Sequence, residues 1–165
     1  MLGRLIPIDR KPSGWRRWLL RLPLALDSLH LNGLLGDRFV VVVHRGRRSG
    51  RRHRTALEVV RADPATGELV VASGWGPQAD WYLNLRASPA VEVHHGRRRF
   101  RPIQRFLDEN DAAREMRAYV TEHPAAARVL GSWMTGAAFD GSSEAIARLV
   151  RRVPFVAFRP RTRGD

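Results

Sequence analysis

The chain has 165 residues, enough for one domain with a buried core, and its hydrophobic fraction of 44% excludes a disordered class. Its 29 basic against 16 acidic residues leave a net charge of +13, which points to anionic partners without specifying a fold. With no cysteine there are no disulfides, thiolate zinc sites, iron–sulfur clusters or cysteine nucleophiles, a composition that fits a reducing cytoplasm.

Residues 1–14 hold two prolines and two glycines and read as a loose arm. Trp15 to Leu22 reads as a basic amphipathic helix, with Trp15, Trp18, Leu19 and Leu22 on one side and Arg17 and Arg21 on the other. Pro23 re-aims it, and a second short helix runs to about Leu31. A lid over the following domain and an interfacial segment on anionic lipid are equally good readings of residues 15–31. No apolar run near the N-terminus is long enough for a signal peptide or a membrane span, so a cytoplasmic protein, with membrane association as an option, is expected.

The β-branched run Phe39 to His44 predicts a strand, followed by a turn punctuated by Gly46 and Gly50. His53 to Arg61 is a second strand with Thr55, Leu57 and Val59 on one face. "DPATGE" at 63–68 makes a hairpin into a third strand, Leu69 to Ser73. After a Gly/Pro loop, Asp80 is expected to N-cap a short helix through Arg86. Val91 to His95 and Arg97 to Phe106 form a hairpin around Gly96. Helices follow from Asp108 to Glu122, from Pro124 towards Trp133, and from Ser142 or Ser143 to Arg152; 153–160 is a closing strand.

Successive hairpins with inserted helices, and no alternating βαβ order, predict an α+β, mainly antiparallel fold: a small β-barrel with peripheral helices. An arm and amphipathic helix over 1–35 and a barrel over 36–165 make a single domain overall.

No glycine-rich dinucleotide motif, phosphate loop, nucleophile elbow or zinc-protease motif occurs. His94 and His95 are adjacent on a strand and point to opposite faces, and His44 and His53 flank an arginine-rich turn that repels cations, so no metal site is expected. Catalytic side chains are not identifiable from the sequence. Anion binding is the chemistry left. The stretch "HRGRRSGRRHR" at 44–54 carries six arginines, and no acid lies between Asp37 and Glu58. Its glycines, Arg47, Arg48 and the Ser49 hydroxyl offer converging donors for a phosphodiester. Charge alone favours, slightly, a solvated hairpin tip. All but one of the basic residues are arginine, which GC-rich coding explains as well as function does. Arg97, Arg99, Arg101 and Arg105 share a strand face, but Phe100 and Phe106 lie opposite rather than between them, unlike a nucleic-acid stacking platform. Trp81, Tyr82 and Asn84 suit either core packing at a barrel end or the wall of a flat-ring pocket.

Three segments in register, "GRRSGRRHRTAL" (46–57), "LVVASGWG" (69–76) and "DWYLNLRASPAVEV" (80–93), resemble the deazaflavin-dependent nitroreductase family, split β-barrel oxidoreductases that use coenzyme F420. The likeness covers about 36–106 well and "VPFVAFRP" more loosely. It implies an FMN-binding-like split β-barrel and hydride transfer between F420, with FMN ranked second, and an organic acceptor resembling a quinone or nitro compound. It implies that Arg47, Arg48 and Ser49 hold the phosphate and that His53, Arg54, Thr55, Ala56 and Leu57 continue the pocket. Ala72, Ser73 and Gly74 would line the ring, and Trp81, Tyr82 and Asn84 would close the site. The chain departs from the family pattern at Arg48 (usually lysine), at Ala56 (usually proline) and over 123–133, where some members carry tyrosines around the substrate. A non-catalytic binding protein of the same fold, for a small apolar ligand or nucleic acid, is the alternative.

Overall fold

The computed structural model describes residues 38–162; the arm and helices expected before them, and the lid-or-lipid reading of 15–31, lie outside the described residues. Seven strands and four helices follow in the order β1 (Phe39–Arg45), β2 (Arg52–Ala62), β3 (Leu69–Ala72), α1 (Asp80–Ala87), β4 (Glu92–His95), β5 (Arg98–Phe100), β6 (Pro102–Phe106), α2 (Glu109–Glu122), α3 (Pro124–Thr135), α4 (Ser143–Val150) and β7 (Phe155–Pro160). Among the described residues, no helix is long and apolar enough to cross a membrane.

Among the described residues all strand pairs are antiparallel, in the order β5-β4-β1-β2-β3-β7-β6. β5 and β6 therefore sit at opposite edges of the sheet, although Arg101 alone separates them in sequence. The chain can connect them only if the sheet curls until its edges approach, and the result is a split β-barrel. The expected single strand Arg97–Phe106 is thus divided. Pro102 lacks an N–H and opens the second piece, where a strand tolerates proline.

Alternation along the strands separates two cores. Val40, Val42, Leu57, Val59, Leu69, Val71, Val93, Val156 and Phe158 fill the barrel interior, where Trp81 and Leu85 of α1 join them. Val70, Ala72, Phe155 and Ala157 face outward under Met116, Tyr119, Met134, Ile146 and Leu149 of α2, α3 and α4. A register shift between Val59 and Arg61 adds one residue to β2. With it, both Val60 and Arg61 face the helices, and Arg61 Nε reaches Glu115 Oε2 at 2.6 Å.

The expected caps of α2 and α4 are present: Asp108 Oδ1 accepts from the Asp111 N–H at 2.8 Å, and Ser142 Oγ from the Ala145 N–H at 3.2 Å. Asp80 does not cap α1. Ala79 holds the cap position, and Asp80 lies in the first turn, where its charge suits the helix dipole and its carboxylate is free to turn towards Arg47.

Candidate active site at the arginine turn

The β1–β2 hairpin brings His44 opposite His53, Val42 opposite Thr55 and Val40 opposite Leu57. Between the strands, the turn is closed by Gly46 N–H donating to Arg51 O and Gly50 N–H donating to Gly46 O, both at 2.8 Å. Gly50 adopts φ of +65°, a conformation that favours glycine. Ser49 Oγ accepts from the Arg51 N–H at 3.3 Å, which leaves its own proton for another partner. Arg48, Ser49, Arg51, Arg52, His53 and Arg54 are all exposed.

Arg47 is held differently. Its backbone N–H and its Nη1 donate to Asn84 Oδ1 at 3.0 and 3.1 Å, and Nη1 also reaches Asp80 Oδ1 at 3.2 Å. Buried Asn84 continues inward, its Nδ2 lying 3.1 Å from His44 Nδ1, and His44 Nε2 lies 3.1 Å from Thr55 Oγ1. His44 is 2% exposed, and its ring stacks on that of His53 with centroids 5.8 Å apart. Burial, reinforced by His53 and opposed by Asp80, pushes His44 down from its ordinary 6.5 to about 4, so the ring is neutral near pH 7.

The structure therefore joins Arg47, Thr55 and Asn84 of the expected residues into one hydrogen-bonded cluster, with His53 stacked against it. It sends others elsewhere. Trp81 is buried in the barrel interior, its Nε1 without a hydrogen-bond partner. Tyr82 packs edge-on against Phe106, with centroids 5.5 Å apart, on the side of α1 away from Asn84. Leu57 fills the interior, Ala56 is half-buried, and the Ala72 side chain faces the helices. Ser73 is buried, with its hydroxyl donating to Gly76 O at 2.8 Å. Gly74 lies under Trp133: a Cβ there would come 2.4 Å from the indole.

Two features of this end of the barrel lay beyond the expected set. β2 pairs with β1 from Arg52 onward but with β3 only from Val59, so among the described residues the second edge of 52–58 carries no strand. The chain leaves β3 level with that open edge, and the loop that follows carries Trp75, edge-on to Trp133 at 4.8 Å. Trp133 is 39% exposed and Val129, one turn earlier on α3, is 74% exposed. His44 could have been found from hairpin symmetry, since it and His53 are equidistant from the centre of the turn. Trp133 had no such signal.

A cavity of about 640 Å³ opens on the helix side of β2, between Arg38, Glu58, Tyr119 and His123. Its polar groups are mutually engaged. Arg38 Nε and Nη2 donate to Glu58 Oε1 at 3.3 and 3.2 Å, and Tyr119 OH donates to the same oxygen at 3.2 Å. Burial and the Glu58 charge push Tyr119 up to about 12. Convergent donors for an anion are found at the arginine turn, not here.

The described residues thus form a split barrel with an arginine-rich turn at its rim, whose donors suit the phosphates of an anionic ligand. A family model described as F420H(2)-dependent quinone reductase matches residues 30–134, and the chain belongs to that family. It is an oxidoreductase that uses coenzyme F420. Two solved structures share the fold. One is an F420-H2 dependent reductase (FDR-A), 19% identical, with a TM-score of 0.50 over 73% of this chain and 93% of that one. The other is a domain-swapped dimer, 18% identical, with a TM-score of 0.52 over 88% of this chain and 99% of that one. No curated protein matches the chain.

Proposed function

We propose that this chain reduces a small, flat acceptor of quinone or nitro-compound type with F420, binding the coenzyme at the arginine turn. The observation that carries the reading is the Arg47–Asn84 junction beside residues 52–58 of β2, whose second edge carries no strand among the described residues. It presents guanidinium, hydroxyl and backbone groups together where an anionic, planar molecule finds phosphate partners. When bound, the deazaflavin supplies the hydride chemistry. Everything else falls to the chain.

In this reading Arg47 contacts the phosphodiester with the guanidinium nitrogens that Asp80 and Asn84 leave available, and these two partners hold its fork in place. Arg48, Ser49 and Arg54, all exposed around the same turn, add charge and hydrogen bonds along the anionic part of the coenzyme. The Thr55 hydroxyl orients the polar rim of the ring. Since the Ser73 hydroxyl is engaged with Gly76 O and the Ala72 side chain faces the helices, only the backbone of 72–74 is offered to it. Trp75 and Trp133 form an apolar wall for the acceptor and shield the reacting faces from water.

Titration of the purified protein with reduced F420 tests this directly. Binding with a Kd below about 50 µM is expected, and no binding at that concentration overturns the reading. Arg47→Ala should weaken coenzyme binding by about 1.5–3 kcal/mol, the range for a charge-assisted hydrogen bond. Trp133→Ala should instead raise the KM for a short-chain quinone about five- to tenfold and leave coenzyme affinity unchanged, as expected for one lost aromatic contact. A Trp133→Ala protein whose coenzyme affinity falls while its quinone KM does not would place the wall on the wrong ligand.

A further inference from the structure

We infer that His44 is a positioning residue that, through Asn84, fixes the Thr55 hydroxyl as a hydrogen-bond donor towards an oxygen acceptor of the bound coenzyme. The inference rests on the proposed coenzyme site, but its first steps follow from the protein alone. Arg47 offers two N–H donors to one atom of the Asn84 amide. That atom must be the carbonyl oxygen, so the amide orientation is settled by its partners, and the NH2 group faces His44 Nδ1. His44 Nδ1 must then accept. A neutral imidazole has one N–H, which therefore sits on Nε2 and donates to Thr55 Oγ1, 3.1 Å away.

Direction propagates along the chain of bonds. The Thr55 oxygen accepts from His44, and its single proton is directed to a different partner. Thr55 is half-buried on β2, in the stretch whose second edge carries no described strand. A hydroxyl presented in this way recognises an oxygen acceptor, whether carbonyl, phosphate or carboxylate, and leaves an N–H group poorly matched. The tautomer is protected from reversal. A second proton on His44 would face the Asn84 NH2 group, donor to donor. The charged or titratable neighbours are His53 on β2, Arg47 on the turn and Asp80 on α1, and of these only Asp80 favours a cation. The phosphate-binding turn and the orienting hydroxyl thus share one polarised chain, with Asn84 at its junction.

The ring ¹⁵N shifts of His44 in the coenzyme-free protein test the first half. A protonated Nε2 and an unprotonated Nδ1 are expected from about pH 5.5 to 8, without a titration near the ordinary histidine value. The opposite tautomer, or an imidazolium in that range, overturns the inference. Coenzyme affinities of variants test the second half. Thr55→Val should weaken binding about five- to tenfold, and Thr55→Ser should restore it. His44→Leu should show the same loss, and the double variant H44L/T55V should be no worse than T55V alone. His44→Gln, which keeps an acceptor beside a donor, should bind within about twofold of the parent. Additive losses, or an H44L protein that binds normally, overturn the coupling. If the unaltered protein binds no coenzyme, the site reading fails, while the ¹⁵N shifts still decide the state of the chain.

Discussion

Asn84→Leu should lower unfolding stability by about 2–4 kcal/mol in urea denaturation, among the largest effects of any substitution on α1 that leaves Trp81 and Leu85 in the barrel interior. Leucine matches asparagine in shape and improves helix propensity by about half a kcal/mol, so packing alone predicts a neutral or stabilising change. The loss comes from the partners. Asn84 is 5% exposed, and without it the Arg47 N–H and the buried His44 Nδ1 both lose their hydrogen bonds. Each unsatisfied buried group costs about 1–3 kcal/mol. Asn84→Asp makes the contrasting case. It keeps the oxygen that Arg47 needs but places a second acceptor against His44 Nδ1, so Nδ1 must carry a proton, either by a switch of tautomer or by protonation of the ring. If N84L proves as stable as the parent, the Arg47–Asn84–His44–Thr55 cluster contributes nothing to the fold, and the positioning argument built on it falls.

The strands were legible because alternation and β-branching agree along them. The face carrying Thr55, Leu57 and Val59 follows from spacing two residues apart, and the structure turns Leu57 and Val59 into the barrel as that spacing requires. The break at Arg101 was not legible. Arg97, Arg99, Arg101 and Arg105 keep one strand period through 97–106, and only the pairing of β5 with β4 and of β6 with β7 shows that two sheet edges meet there. Side-chain direction on α1 was likewise hidden by sequence adjacency. Tyr82 and Asn84 are two residues apart, about 200° around a helix, so one faces Phe106 and the other the arginine turn. Asp80 precedes a helix, as a cap would, but its oxygen has a better-placed cation in Arg47, some thirty residues earlier and visible only after folding. The arginine neighbours of His44 argue against metal binding and give no hint of a positioning role. Its role emerges once hairpin register sets it beside Thr55 and tertiary packing brings Asn84 to its other nitrogen.

The pH dependence of stability carries the signature of that histidine. His44 has a folded-state pKa of about 4 against an ordinary value of 6.5, so between these values the unfolded chain binds a proton that the folded chain does not. Stability therefore rises with pH across the window. It is fully present above about 6.5, is lost as the pH falls towards 4, and levels off below the folded value. The 2.5-unit difference corresponds to about 3 kcal/mol at most, a large share of the stability of a domain this size. Asp63, Glu92, Asp111 and Asp140 are each held below the usual carboxylate range by hydrogen bonds, so their contributions are lost at lower pH, as the carboxylates protonate. The two limbs separate along the pH axis. His44→Gln removes the titrating group while keeping both hydrogen bonds, and should flatten the limb between about pH 6.5 and 4 without altering the one below it. Asn84→Asp should shrink this limb, because a carboxylate against Nδ1 raises the His44 pKa; once that value exceeds 6.5 the sign reverses and stability is gained as the pH falls through it. Urea unfolding of the three proteins across this range distinguishes the cases. An unchanged slope in H44Q would assign the acid limb to other groups and remove the physical basis for a neutral, direction-setting imidazole at the arginine turn.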